Sequence, residues 1–182
     1  MTTGRSGGRR RGRPALALAA VLVLSGCVAL SRVPAGSCPR ASVLADAGEM
    51  TRFKPGPGQD LIDVVFEAEI AGVAVTCEDV RSDGLVAVVS LGLVTSRGPA
   101  ATGRVAEVPF FVAYVDRAGK IRDKAVFSSR VEFPAGRPKV AVREDIELDI
   151  PLSATDSPAD LAIVVGLQLT RQELERNRAR RR

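Results

Sequence analysis

The chain has 182 residues, with 26 Lys and Arg against 21 Asp and Glu, a formal net charge of +5, no His and no Trp. Without histidine, Ser-His-Asp and Cys-His catalytic arrangements are excluded. The charge surplus is confined to the amino terminus: five Arg and no acid precede residue 27, and from there on 21 basic residues balance 21 acidic ones, which removes the electrostatic argument for a nucleic-acid partner.

Arg5, Arg9, Arg10, Arg11 and Arg13 are followed by an apolar stretch from about Ala15 to Leu24, then by Ser25 and Gly26. Basic, then apolar, then small is the order of a secretory signal peptide, here residues 1–26. An apolar helix of about ten residues rises only about 15 Å, half of a bilayer's hydrocarbon thickness, so this segment does not predict a membrane span. The residues after Arg9 to Arg11 are Gly12 and Arg13 rather than hydrophobic ones, which favours general secretion over a twin-arginine route.

The last four residues of this leader, Leu24-Ser25-Gly26-Cys27, resemble the lipobox of bacterial lipoproteins at every position. The resemblance implies that the Cys27 thiol takes a diacylglyceryl group, that the chain is cut just before it, and that acyl chains such as palmitate hold the mature protein to a membrane. In the same family an Asp after the lipidated cysteine tends to retain the protein in the inner membrane; Val28 stands there, which implies the periplasmic leaflet of the outer membrane.

With Cys27 assigned to lipid, Cys38 and Cys77 remain as an even pair in an oxidising compartment, and a disulfide is the economical expectation. Two buried free thiols are the alternative. Neither cysteine has metal-ligand company, so no metal or other cofactor is expected. Residues 27–37 form the lipidated tether; Pro34, Gly36 and small polar residues mark the segment after Cys27 as a linker that reaches about 35 Å at most.

From residue 38 to 170 the dominant period is two. In "LIDVVFEAEI" Ile62, Val64, Phe66, Ala68 and Ile70 alternate with Asp63, Glu67 and Glu69. In "VAVREDIELDI" Val140, Val142, Ile146, Leu148 and Ile150 share one face, and Arg143, Asp145, Glu147 and Asp149 the other. Both read as half-buried antiparallel strands. Residues 85–95, 105–115 and 161–169 are apolar on both parities and suit central strands covered on two sides, while 125–133 alternates again through Phe127, Val131 and Phe133. Ala71-Gly72, Asp83-Gly84 and "DRAG" at 116–119 carry hairpin chemistry, and Gly/Pro clusters at 55–58, 97–99 and 134–138 mark longer loops.

Seven or eight short strands at this spacing predict an all-β fold, a single immunoglobulin-like antiparallel β-sandwich. Its end is different. Thr170-Arg171-Gln172-Glu173 fits a helix capping box, so residues 171–182 are expected to form a short helix running into a basic tail. Arg176, Arg178, Arg180, Arg181 and Arg182 of that tail are candidates for contact with an anionic lipid surface or an acidic partner, against the plainer reading of a solvated terminus.

No GxSxG, SxxK, GxxxxGK or GxGxxG motif occurs. Glu78-Asp79 and the acids Glu144, Asp145, Glu147 and Asp149 are the remaining candidates for carboxylate or calcium chemistry, but their placement on a strand's wet face or beside a turn argues for solvation. Arg97 and Arg104 flank the loop "RGPAATGR", a candidate binding loop or an ordinary connection. The expectation is a non-enzymatic, membrane-anchored envelope lipoprotein that binds or scaffolds another envelope component. The alternative is a lipoprotein that captures a lipid or other small molecule, which a hollow core would favour and a solid one would not.

Overall fold

Eight stretches of alternating or β-branched sequence become strands, and the turn-forming residues between them set which strands are neighbours. The computed structural model describes Met1 and residues 38–81 and 83–182; the expected signal peptide, Cys27 and the tether that follows it lie outside these. In chain order the elements are β1 (Arg40–Val43), β2 (Glu49–Phe53), β3 (Val64–Val80), β4 (Gly84–Arg97), β5 (Val105–Val115), β6 (Ile121–Glu132), β7 (Lys139–Pro151), β8 (Ala162–Leu167) and α1 (Arg171–Arg180).

These strands form two four-stranded sheets, ordered β2-β3-β4-β7 and β1-β8-β5-β6. All pairings are antiparallel except that β1 runs parallel to β8. The expected antiparallel sandwich with a short carboxyl-terminal helix is therefore the fold observed. The hairpins β3-β4 and β5-β6 stay together in separate sheets.

One core joins the two sheets. From β4 come Leu85, Ala87, Val89, Leu91 and Leu93; from β5 and β8, Val108, Phe110, Val112, Ile163, Val165 and Leu167; all are essentially inaccessible to solvent. Each such aliphatic or aromatic side chain contributes roughly 1.5–3 kcal/mol by leaving water. Phe110 stacks on its cross-strand partner Phe127 with ring centroids 5.5 Å apart. The outer face of β4, through Val86, Val88 and Val94, is only partly buried. That corrects the expectation that the doubly apolar strands are covered on both sides: a two-layer sandwich has nothing to lay over its outer face.

Two local expectations also change. Ala71-Gly72 is not a hairpin turn but an irregularity inside β3, where the pairing to β4 slips between Ile70 and Gly72. The flanking alternation continues in register with one partner strand, so a bulge suffices and no reversal occurs. Ile62 does not join the apolar face of β3; with Leu61 it stands exposed on a 3-10 turn, Leu61–Asp63. Asp60 and Asp63 close that turn reciprocally through a capping box, and β3 begins only at Val64.

β1 and β2 were not legible as strands, because the first has only four residues and the second includes Glu49, Thr51 and Arg52. Both are edge strands in the sheet order, where short length and charge discourage further pairing.

Candidate functional site

The sandwich has two chemically distinct ends. At one lie the start of β1, the close of β3, the turn into β4, the β5–β6 hairpin and the segment 151–161; the register Arg40↔Ala162 and Val115↔Ala162 brings them together. Cys38 and Cys77 are bonded here, with Cα atoms 5.7 Å apart, so the expected disulfide is present. Cys38, where the continuous described body begins, lies at this end.

Arginines at this end are matched by acids. Arg81 contacts Asp79 at 2.9 Å, Asp149 at 3.4 Å and Asp83 at 3.7 Å. Those aspartates, the Asp79 hydrogen bond first, raise the Arg81 pKa further above its ordinary value. Arg117 pairs with Asp160, and Arg122 with Asp116 and Asp156. The Asp156 carboxyl is held below the usual range, chiefly by the backbone N–H and then the hydroxyl of Ser153.

The acidic candidates separate in space. Asp145, Glu147 and Asp149 project from the exposed face of β7, as expected. There Ser90 donates to Asp145 at 2.6 Å and Arg143 contacts it at 2.9 Å, which together lower its pKa. Glu144 faces the opposite way. Its register partner is Leu91, and the buried Ser129 hydroxyl donates to its carboxylate at 2.5 Å across the sheet edges. Period two predicts this placement, since Glu144 shares the parity of Val142 and Ile146. Glu78 and Asp79 end β3 beside Arg81.

The basic tail is docked rather than free. Thr170 and Glu173 make the expected capping box, and Glu173 also lies 3.0 Å from Arg52 Nε, a close ionic contact without hydrogen-bond alignment. The buried Asn177 amide donates to the carbonyls of Asp46 at 2.9 Å and Glu49 at 2.8 Å. Arg176 stacks over Phe53, 4.6 Å from the ring centroid, and donates to Gln59. Arg178 pairs with Asp46 at 2.9 Å and Arg180 with Glu49 at 2.7 Å. Of the five candidate arginines, three are thus committed to the body, and Arg181 and Arg182 stand exposed at the tip.

At the opposite end two Gly/Pro loops meet, one joining β4 to β5 and the other joining β6 to β7. They are clasped by backbone hydrogen bonds from Arg97 to Pro138 at 2.7 Å and from Phe133 to Arg104 at 2.7 Å. Between them is a hollow of about 460 Å³ with Arg97, Arg104 and Arg137 in its lining, walled by Phe133, Pro134 and Pro138. Arg97 donates from Nε to the Gly103 carbonyl at 2.9 Å and from Nη2 to that of Ala101 at 2.6 Å; Arg104 donates from Nε to the Phe133 carbonyl at 2.9 Å. None of the three forms an ion pair among the described residues, and no acid lines the hollow.

The sequence pointed to Arg97 and Arg104 as flanks of one loop. It did not point to Arg137, whose loop reads as a turn: Arg137 N–H donates to Pro134 at 3.0 Å, and Gly136 adopts φ 73°, a conformation that favours glycine. What the arrangement offers is a cationic, partly apolar recess at the far end from the disulfide. Comparison with protein-family models and with the curated proteins yields no match.

Proposed function

We propose that this chain is an exported lipoprotein, anchored through Cys27 in the periplasmic leaflet of the outer membrane, whose sandwich binds or scaffolds another component of the cell envelope. The observation that carries the reading is the Cys38–Cys77 disulfide. A structural disulfide belongs to an oxidising compartment, in keeping with an exported chain. It also occupies two of the three cysteines and leaves Cys27 as the thiol open to acylation.

Binding rather than capture between the sheets is favoured by the core, where facing side chains of β4, β5 and β8 are packed to near-zero exposure. Loops on a rigid sandwich are the ordinary place for recognition. Metabolic labelling with a fatty-acid analogue tests the anchor: label depends on Cys27 in this reading, and label retained by Cys27→Ala overturns it. In-cell crosslinking of the full chain tests the role, with recovery of a defined envelope partner expected. Recovery of none at native abundance would count against it.

A further inference from the structure

We propose that the hollow between residues 97–104 and 133–138 binds a phosphate group carried by a small ligand. The inference goes beyond the role proposed above: it assigns a small ligand to one loop-end recess and depends neither on the anchor nor on an envelope partner.

Arg97, Arg104 and Arg137 are all among the residues lining one recess, and no acidic residue is. Cations that share a recess favour an anion placed in it. Elsewhere in the fold this chain pairs arginines with acids, as at Arg81, Arg117, Arg122, Arg178 and Arg180.

The donors are also held in place. A guanidinium carries five N–H groups. Arg97 gives two to the Ala101 and Gly103 carbonyls, and Arg104 gives one to Phe133, so each is pinned through part of its fork with the rest unspent. The Arg137 guanidinium has no protein partner among the described residues. Arginine forks match the geometry of phosphate oxygens, and pinned donors lose less entropy on binding. A phosphate monoester carries close to two negative charges at neutral pH, which suits three cations better than a single carboxylate does. Phe133, Pro134 and Pro138 also line the recess and give it an apolar part beside the arginines.

β4 runs roughly 45 Å from the disulfide end to Arg97, so the recess lies at the opposite end of the sandwich from Cys38. A phosphate on a soluble molecule and one on a lipid head group share the chemistry these arginines recognise.

The test is titration of the full chain, in non-ionic detergent, with inorganic phosphate, followed by nuclear magnetic resonance or calorimetry. Saturable binding is expected, weakened about tenfold or more in Arg137→Gln and further in Arg97→Gln with Arg104→Gln, since charge-assisted hydrogen bonds are the strong ones. Arg181→Gln leaves affinity unchanged. Because Arg97 and Arg104 also hold loop carbonyls, Arg137→Gln, whose side chain holds none, is the variant that separates binding from folding, and a thermal melt accompanies each protein. Micelles doped with phosphatidylglycerol form a second arm: retention there without binding of free phosphate, lost in Arg137→Gln, assigns the phosphate to a lipid head group. No binding in either arm, or binding indifferent to all three arginines, overturns the proposal while leaving the Cys27 labelling result standing.

Discussion

The two ends of the sandwich solve the same electrostatic problem in opposite ways. At the disulfide end Arg81, Arg117 and Arg122 are each answered by one to three aspartates, and the chain is cross-linked there by Cys38 and Cys77. At the far end Arg97, Arg104 and Arg137 line one recess; loop carbonyls hold the first two, and no acid is in the lining. Carbonyl oxygens orient a guanidinium without neutralising it. One end is thus internally satisfied, and the other keeps a net charge available to something outside the chain.

The largest expected effect falls on the stapled end. Replacing Cys38 and Cys77 by Ser reopens a loop of 39 residues and should cost about 4 kcal/mol in the chain-entropy account, read as a lower denaturant midpoint. If the loss is below about 1 kcal/mol, the disulfide is not what distinguishes this end. Next comes Gly98→Ala at the far end: a Cβ there would overlap the Val64 carbonyl oxygen, which is backbone and cannot swing aside. A loss of roughly 2–3 kcal/mol is expected by denaturant unfolding, together with weakened phosphate binding, since this residue leads from Arg97 into the loop.

A gain is expected close by. Thr95 is fully buried and its hydroxyl finds no partner among the described residues. Thr95→Val keeps the shape, removes an unpaired polar atom and should stabilise by about 1 kcal/mol, detectable as a higher melting temperature. An unchanged or lower value would mean that the hydroxyl is satisfied in solution.

The smallest effect per group is that of acid, because the carboxylates concerned are exposed. Asp156 at the disulfide end, Asp145 on β7 and Asp63 before β3, the last held mainly by Lys54, all have pKa values lowered from 3.8. A lowered folded pKa means that the unfolded chain takes up protons first. The stabilisation is then present above about pH 4 and is lost as pH falls through the folded values. Hydrogen exchange compared at neutral pH and near pH 3 should show protection lost around Asp156 before it is lost at the acid-free recess. Equal loss at both ends would remove the electrostatic contrast.

Much of this architecture could be read in advance. The alternations at 62–70, 125–133 and 140–150, the doubly apolar runs, the Asp83-Gly84 turn and the Thr170–Glu173 cap each state a local preference, and each became the corresponding element or part of one. Ala71-Gly72 was misread because glycine serves a bulge as well as a turn, and only the partner strand distinguishes the two. Glu144 was legible by parity, yet its Ser129 partner was not, since that contact crosses from one sheet to the other.

The tail and the recess show the same division. Six arginines among the last twelve residues could be counted, but not that Asp46, Glu49 and Gln59 would meet three of them. Arg137 is 33 residues from Arg104 in the chain and lines the same recess.

By itself the sequence determined the strand periodicity, the cap, the charge balance and the lipobox resemblance, because these depend on neighbours a few residues apart. Only the tertiary structure decided which arginines are neutralised and which are left over, because charge compensation depends on distance through space, and strand pairing brings together residues that the chain keeps apart.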